Sequence, residues 1–218
     1  PVFEMQIYGP QDDPNRYLFS IDENGVTKLK AALERWANIL TPGKYPGIVK
    51  VEPRDNFPVA AAGSDPEWDP FAPGRVATAM QLLLTNQLRG ADIKGVHANV
   101  YIGNAIFDTQ PVTPSQLPLA NKLDLSAVMV HEMLHTLGMA SLVGLREGSI
   151  PYFAYMNRWS EGLRDDNGRA AQEGQEVMCA ACNVPYDSQA FDLRQDKGYF
   201  TGKHVDEVLN GAMPGIPV

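Results

Sequence analysis

The chain has 218 residues, 44% hydrophobic and 20% charged, which suits a globular protein with one sizeable core or two lobes sharing a cleft. A net charge of −8, with no basic cluster interleaved with aromatics, lacks the electrostatic footprint of nucleic-acid or anionic-membrane binding. No apolar run has membrane-spanning length, residues 126–145 being broken by His131, Glu132, His135 and glycines. The chain opens Pro1-Val2 without an initiator Met or a basic-then-apolar leader, and so reads as a mature or trimmed piece.

Residues 2–8 alternate apolar with other residues and predict an edge or half-buried strand, followed by a turn at Gly9-Pro10-Gln11-Asp12-Asp13-Pro14. Residues 22–40 place Val26, Leu29, Leu33, Trp36, Ala37 and Leu40 at helical spacing. Asp22 can cap this amphipathic helix and Thr41-Pro42-Gly43 can stop it. Residues 48–51 predict a short strand, and residues 54–73, rich in Pro, Gly and Asp, predict a loop with little regular structure. A second helix is expected over residues 77–88, ended by Arg89-Gly90.

Residues 97–104 alternate again, with Ala98, Val100 and Ile102 on one strand face. His97 lies on the other face and reads as a solvated or hydrogen-bonded histidine rather than a metal ligand. Residues 109–118 hold three prolines and predict a loop, after which Asp124 or Ser126 can cap the next helix.

That helix carries Val130-His131-Glu132-Met133-Leu134-His135-Thr136-Leu137-Gly138-Met139. At about 100° per residue, His131 and His135 project only about 40° apart from successive turns, close enough to share one metal ion. Glu132 lies beside them as a base for a water that the metal activates, so the H-E-x-x-H pattern reads as half of a zinc site. The flanking Val128, Met129, Val130, Met133, Leu134 and Leu137 predict a helix that is nearly all buried, and Gly138 suits a left-handed helix end or a close backbone approach.

Beyond the motif the pattern becomes irregular. Residues 152–163 could form a short helix, and Arg164-Asp165-Asp166-Asn167-Gly168 predicts a solvated turn lacking the ligand spacing of an EF-hand. Cys179-Ala180-Ala181-Cys182 is followed by the loop-like Val184-Pro185-Tyr186-Asp187, so a short-range disulfide or two plain thiols fit better than a redox centre. Residues 204–210 predict a final helical turn or two, with a loop after it. There is no internal repeat and no linker between independent domains.

The motif resembles the H-E-x-x-H-x-x-G signature of the metzincin clan of zinc peptidases, whose third His normally follows three residues after the Gly. Ser141 stands at that position here. The chain is most similar to bacterial leishmanolysin-like peptidases, a branch that tolerates a long insertion before the third His. The similarity extends to Leu33-Glu34-Arg35-Trp36-Ala37-Asn38-Ile39-Leu40, to Asn99-Val100-Tyr101-Ile102-Gly103, and to Tyr199-Phe200-Thr201-Gly202-Lys203-His204-Val205 with Gly215-Ile216-Pro217-Val218.

The resemblance implies an α+β, zincin-like fold: a small twisted mixed sheet, an active-site helix and an irregular C-terminal part. It would be a single catalytic domain over residues 1–218, with a sheet-and-helix lobe at 1–139 and a C-terminal lobe at 140–218. It further implies Zn2+ held by His131, His135 and either His204 or a residue beyond Val218. In the second case the chain is a truncated piece. Met213 is a weak stand-in for the Met turn expected beneath the metal.

Glu132 would be the general base in hydrolysis of a protein or peptide substrate, and the strand at residues 101–104 would hold the substrate backbone by edge pairing. Family and low cysteine use point to a secreted or cell-surface bacterial protein. The contrasting expectation, prompted by Ser141, is a catalytically incomplete metzincin-like fragment or a peptide- or glycan-binding domain.

Overall fold

The computed structural model describes residues 1–7, 23–54, 57–105, 107–108, 121–179, 189–194 and 196–217. The expected turn at 9–14, the Asp22 cap, the loop at 109–118, Cys182 and the loop at 184–187 lie outside the described residues. The secondary structure is mixed α+β with small sheets.

In chain order come β1 (Phe3–Ile7), α1 (Glu23–Ala37), β2 (Gly47–Pro53), β3 (Ala60–Gly63), β4 (Pro66–Trp68), β5 (Val76–Thr78), α2 (Ala79–Leu84), β6 (Ala98–Ile102), β7 (Phe107–Asp108), β8 (Leu123–Asp124) and α3 (Leu125–Thr136). Then follow β9 (Leu142–Arg146), β10 (Ile150–Tyr155), α4 (Arg158–Gly162), β11 (Leu163–Arg164), β12 (Val177–Met178), β13 (Phe191–Asp192), β14 (Tyr199–Phe200), α5 (Lys203–Leu209) and β15 (Ile216–Pro217). The chain divides into two compact units, Pro1–Glu67 with Thr78–Gly138, and Trp68–Ala77 with Met139–Val218.

The first unit is built on a four-stranded sheet in the order β1-β2-β6-β3. β1, β2 and β6 run parallel, and β3 pairs antiparallel with β6, Ala60 opposite Ile102 and Gly63 opposite Asn99. The period-two pattern of β6 puts Ala98, Val100 and Ile102 fully inside, where they meet Val49 and Val51 of β2. Leu29, Ala32 and Leu33 of α1 and Leu125, Met129 and Met133 of α3 complete this core. Each large side chain buried there contributes about 1.5–3 kcal/mol.

Three expectations change in this unit. The loop over 54–73 contains β3 and β4, because strand pairing overrides the weak β-propensity of Ala60-Ala61-Ala62-Gly63. β6 is a central strand between β2 and β3, so the segment 101–104 has no free edge to offer a substrate; the sheet's outer strands are β1 and β3. The second helix is only Ala79–Leu84, started by a Thr78–Gln81 capping box and closed where Asn86 takes φ 60°. The Gln87 and Leu88 amides then turn back to the Leu82 carbonyl at 2.6 and 3.0 Å.

The second unit has its own core of Phe153, Met156, Leu163, Ala171, Val177 and Phe191. The stretch expected to be irregular begins with an antiparallel hairpin, Arg146 opposite Ile150 and Val143 opposite Phe153, turned at Gly148 with φ +78°. The helix expected over 152–163 therefore splits. Its first half is β10, whose alternating burial hides Phe153, and only Arg158–Gly162 is helical, capped by Asn157 through the Ser160 amide at 2.8 Å.

The turn at residues 164–168 is solvated at Asp166, Asn167 and Gly168, while Asp165 within it is buried, only 3% exposed. Its Oδ1 accepts from the Asn167 and Arg169 amides, and its Oδ2 accepts from Arg169 Nε at 2.6 Å. Cys179 is disulfide-bonded. No helix of the described residues is long and apolar enough to cross a membrane.

Candidate metal centre

α3 is fixed at both ends. Asp124 caps its start, Oδ1 accepting from the Ser126 amide at 3.2 Å, and Lys28 of α1 donates to the same oxygen at 2.9 Å and to the Asp108 carbonyl at 2.8 Å. Lys28 is itself buried, so it ties α1, β7 and the first turn of α3 together. At the other end Thr136 Oγ1 donates to the Met133 carbonyl at 2.9 Å, and Thr78 Oγ1 donates to the Thr136 carbonyl at 2.7 Å. Gly138 ends the helix at φ +97°, where a Cβ would stand 2.5 Å from Gln81 Oε1. Left-handed geometry and close approach both hold there.

The helix is partly covered rather than nearly all buried. Leu125, Met129, Glu132, Met133 and Thr136 face inward, while Ala127 and His131 are exposed and His135 is half-buried. The expectation failed because the aliphatic residues Val128, Val130 and Leu134 remain only partly covered. Midway along, Trp36 Nε1 donates to the Val130 carbonyl at 3.2 Å, steadying the backbone just before His131.

His131 and His135 turn their Nε2 atoms toward each other, 3.2 Å apart, with the rings nearly perpendicular at 85°. Two imidazole nitrogens each about 2.0–2.1 Å from one tetrahedral zinc stand about 3.3–3.4 Å apart. The observed 3.2 Å is close to that spacing. Glu132 is 6% exposed and takes no hydrogen bond from a described residue. Among the described residues no fully enclosed side-chain oxygen lacks a partner, so its carboxylate oxygens keep contact with solvent. Burial raises its pKa above the ordinary carboxylate value, and the neighbouring His135 and His131 offset part of that rise.

The other expected residues have surroundings of their own. His204 belongs to the second unit, on α5, 90% exposed at its side chain, with Nδ1 3.3 Å from Glu207 Oε2. Met213 is 46% exposed in the loop after α5. His97 is 2% exposed, its Nδ1 accepting from the Ile48 amide at 2.9 Å and its Nε2 3.0 Å from the Asp92 carbonyl. Both its ring nitrogens are thereby engaged, which makes it hydrogen-bonded rather than solvated. Among the described residues no three His, Cys, Asp or Glu side chains gather as a metal-holding group.

Lys28, Thr78 and Gln81 were missed in the sequence. Only Lys28 carried a signal, a cation on the apolar stripe that Leu29, Ala32 and Leu33 form on α1. No protein-family model matches the chain, and neither the curated proteins nor the solved structures provide a match.

Proposed function

We propose that this chain is a zinc-dependent endopeptidase of metzincin type, similar to the bacterial leishmanolysin-like peptidases and exported. The observation that carries the reading is the 3.2 Å separation of His131 Nε2 and His135 Nε2 on one helix, with the Glu132 carboxylate between them in sequence and open to water. His131 and His135 are two ligands, and His204 is the proposed third. When bound, zinc lowers the pKa of water toward neutrality and polarises a carbonyl.

Glu132 accepts the proton of the attacking water at a carboxylate oxygen and delivers it to the nitrogen of the departing amine. Its burial suits that double duty, since a carboxylate partly shielded from water takes a proton more readily than an exposed one. An extended peptide finds its backbone partners on β3, the outer strand that packs beside α3 in the same unit, where small side chains allow close approach.

Metal analysis coupled to peptide cleavage tests this. Glu132→Gln is expected to keep stoichiometric zinc and abolish cleavage, and His204→Ala to lose zinc. Cleavage that survives Glu132→Gln would sink the reading, and zinc unaffected by His204→Ala would remove His204 from the site. A second reading is favoured by Ser141 at the expected ligand position: a metzincin-like domain that binds peptides or glycans without hydrolysing them. Peptide binding without any turnover in the zinc-loaded chain supports it.

A further inference from the structure

The chain contains three Asn-Gly pairs, Asn24-Gly25, Asn167-Gly168 and Asn210-Gly211. In such a pair the glycine nitrogen can attack the asparagine side-chain carbonyl carbon, because no Cβ shields it. The three pairs have different surroundings. Gly25 is buried in the first turn of α1. The Gly168 amide is committed to the Asp165 carbonyl at 2.9 Å.

Asn210 is exposed and ends α5 in the left-handed conformation, φ 47° and ψ 40°. Gly211 is exposed at φ +78°, with open space where a Cβ would stand, and its amide donates to no described residue. α5 has seven residues, none of them buried, and Val208 is 83% exposed. So short a helix with little packing opens readily at its last turn, which frees the rotation about Asn210 ψ that the attack needs.

We propose that Asn210 is a site of spontaneous deamidation. The Gly211 nitrogen loses its proton and bonds to Asn210 Cγ, and the side-chain nitrogen leaves as ammonia. Water then opens the cyclic imide at either carbonyl, giving an aspartyl or an isoaspartyl residue. Either product sets a carboxylate at the C-terminal end of α5, where the helix dipole is already negative. The isoaspartyl form also lengthens the backbone between α5 and β15 by a methylene.

The test is to hold the 218-residue chain at mildly alkaline pH, digest samples under mildly acidic conditions, and quantify by mass spectrometry the modified fraction at each pair. In the native chain Asn210 is expected to react at least about fivefold faster than Asn167 or Asn24, the factor that one hydrogen bond of about 1 kcal/mol supplies. In denaturant the three rates converge, and Gly211→Ala slows the reaction at Asn210 alone. Equal native rates at Asn167 or Asn24 would overturn the proposal. So would an Asn210 that reacts only in denaturant, or a native ranking that persists there.

Discussion

His131 and His97 show how little a residue type says without its surroundings. His131 is exposed, so His131→Ala is expected to leave folding stability nearly unchanged while abolishing zinc uptake. His97→Ala leaves the Ile48 amide without its acceptor inside the sheet and is expected to cost roughly 1–3 kcal/mol, with zinc uptake retained. Denaturant titration and metal analysis on both variants check the contrast; a matching pair of phenotypes would contradict it.

Asp165 sets an acid limit on the second unit. Burial pushes its carboxyl upward, but the amide and guanidinium of Arg169 and the amide of Asn167 outweigh burial and hold it below the usual carboxylate range. Its unfolded value is the ordinary one for an aspartate. The stabilisation is therefore complete above that value and is lost as the pH falls through the lower folded one. Asp165→Asn is expected to lose roughly 1–3 kcal/mol at neutral pH and to show a shallower further loss on acidification. Urea denaturation at neutral and strongly acidic pH measures both.

Among the elements, α3 depends on a neighbour that its own sequence does not name. Lys28 is 8% exposed at its side chain and Asp124 20%, so their 2.9 Å contact is largely shielded from water. Breaking a fully buried pair costs about 3–5 kcal/mol, and Lys28→Met is expected to cost somewhat less, about 2–3 kcal/mol. Thermal unfolding reads the loss, and helicity measured by circular dichroism shows whether it falls on the helices.

The elements also show what a sequence can reveal. The alternation Ala98, Val100, Ile102 and the Asp124 cap were legible because each is a local pattern with a local cause. β3 was not, since Ala60-Ala61-Ala62-Gly63 becomes a strand only through its partner β6. The central place of β6 was hidden for the same reason: periodicity tells which face is buried, never which edge is occupied. The β9–β10 hairpin had a weak local sign in Gly148, but its pairing partner lay outside any helical or alternating pattern. At the site, the positions of the His131 and His135 side chains follow from helix geometry, whereas the Thr78 and Lys28 ties come from residues 58 and 96 positions away from their partners.

For the whole molecule, a ligand that binds only the folded state adds its binding free energy to stability. Zinc at a hundredfold excess over its Kd is expected to add about 2.7 kcal/mol. For a chain of this size each kcal/mol raises Tm by about 2–4 °C, so chelation should lower the melting point by roughly 5–10 °C. Calorimetry with and without chelator tests this, and a chelator-insensitive Tm in a chain shown to carry zinc would contradict metal binding coupled to the fold.

The indole of Trp36 offers a way to watch the proposed metal site without labelling it. Its N–H leans on the carbonyl one residue before His131, whereas of the other two tryptophans Trp68 is 64% exposed and Trp159 is stacked on Phe200. Light emitted by Trp36 is thus sensitive to the electric field of the Val130 peptide. A spectral change on adding zinc that disappears in Trp36→Phe would make the protein its own optical gauge of what happens one turn away.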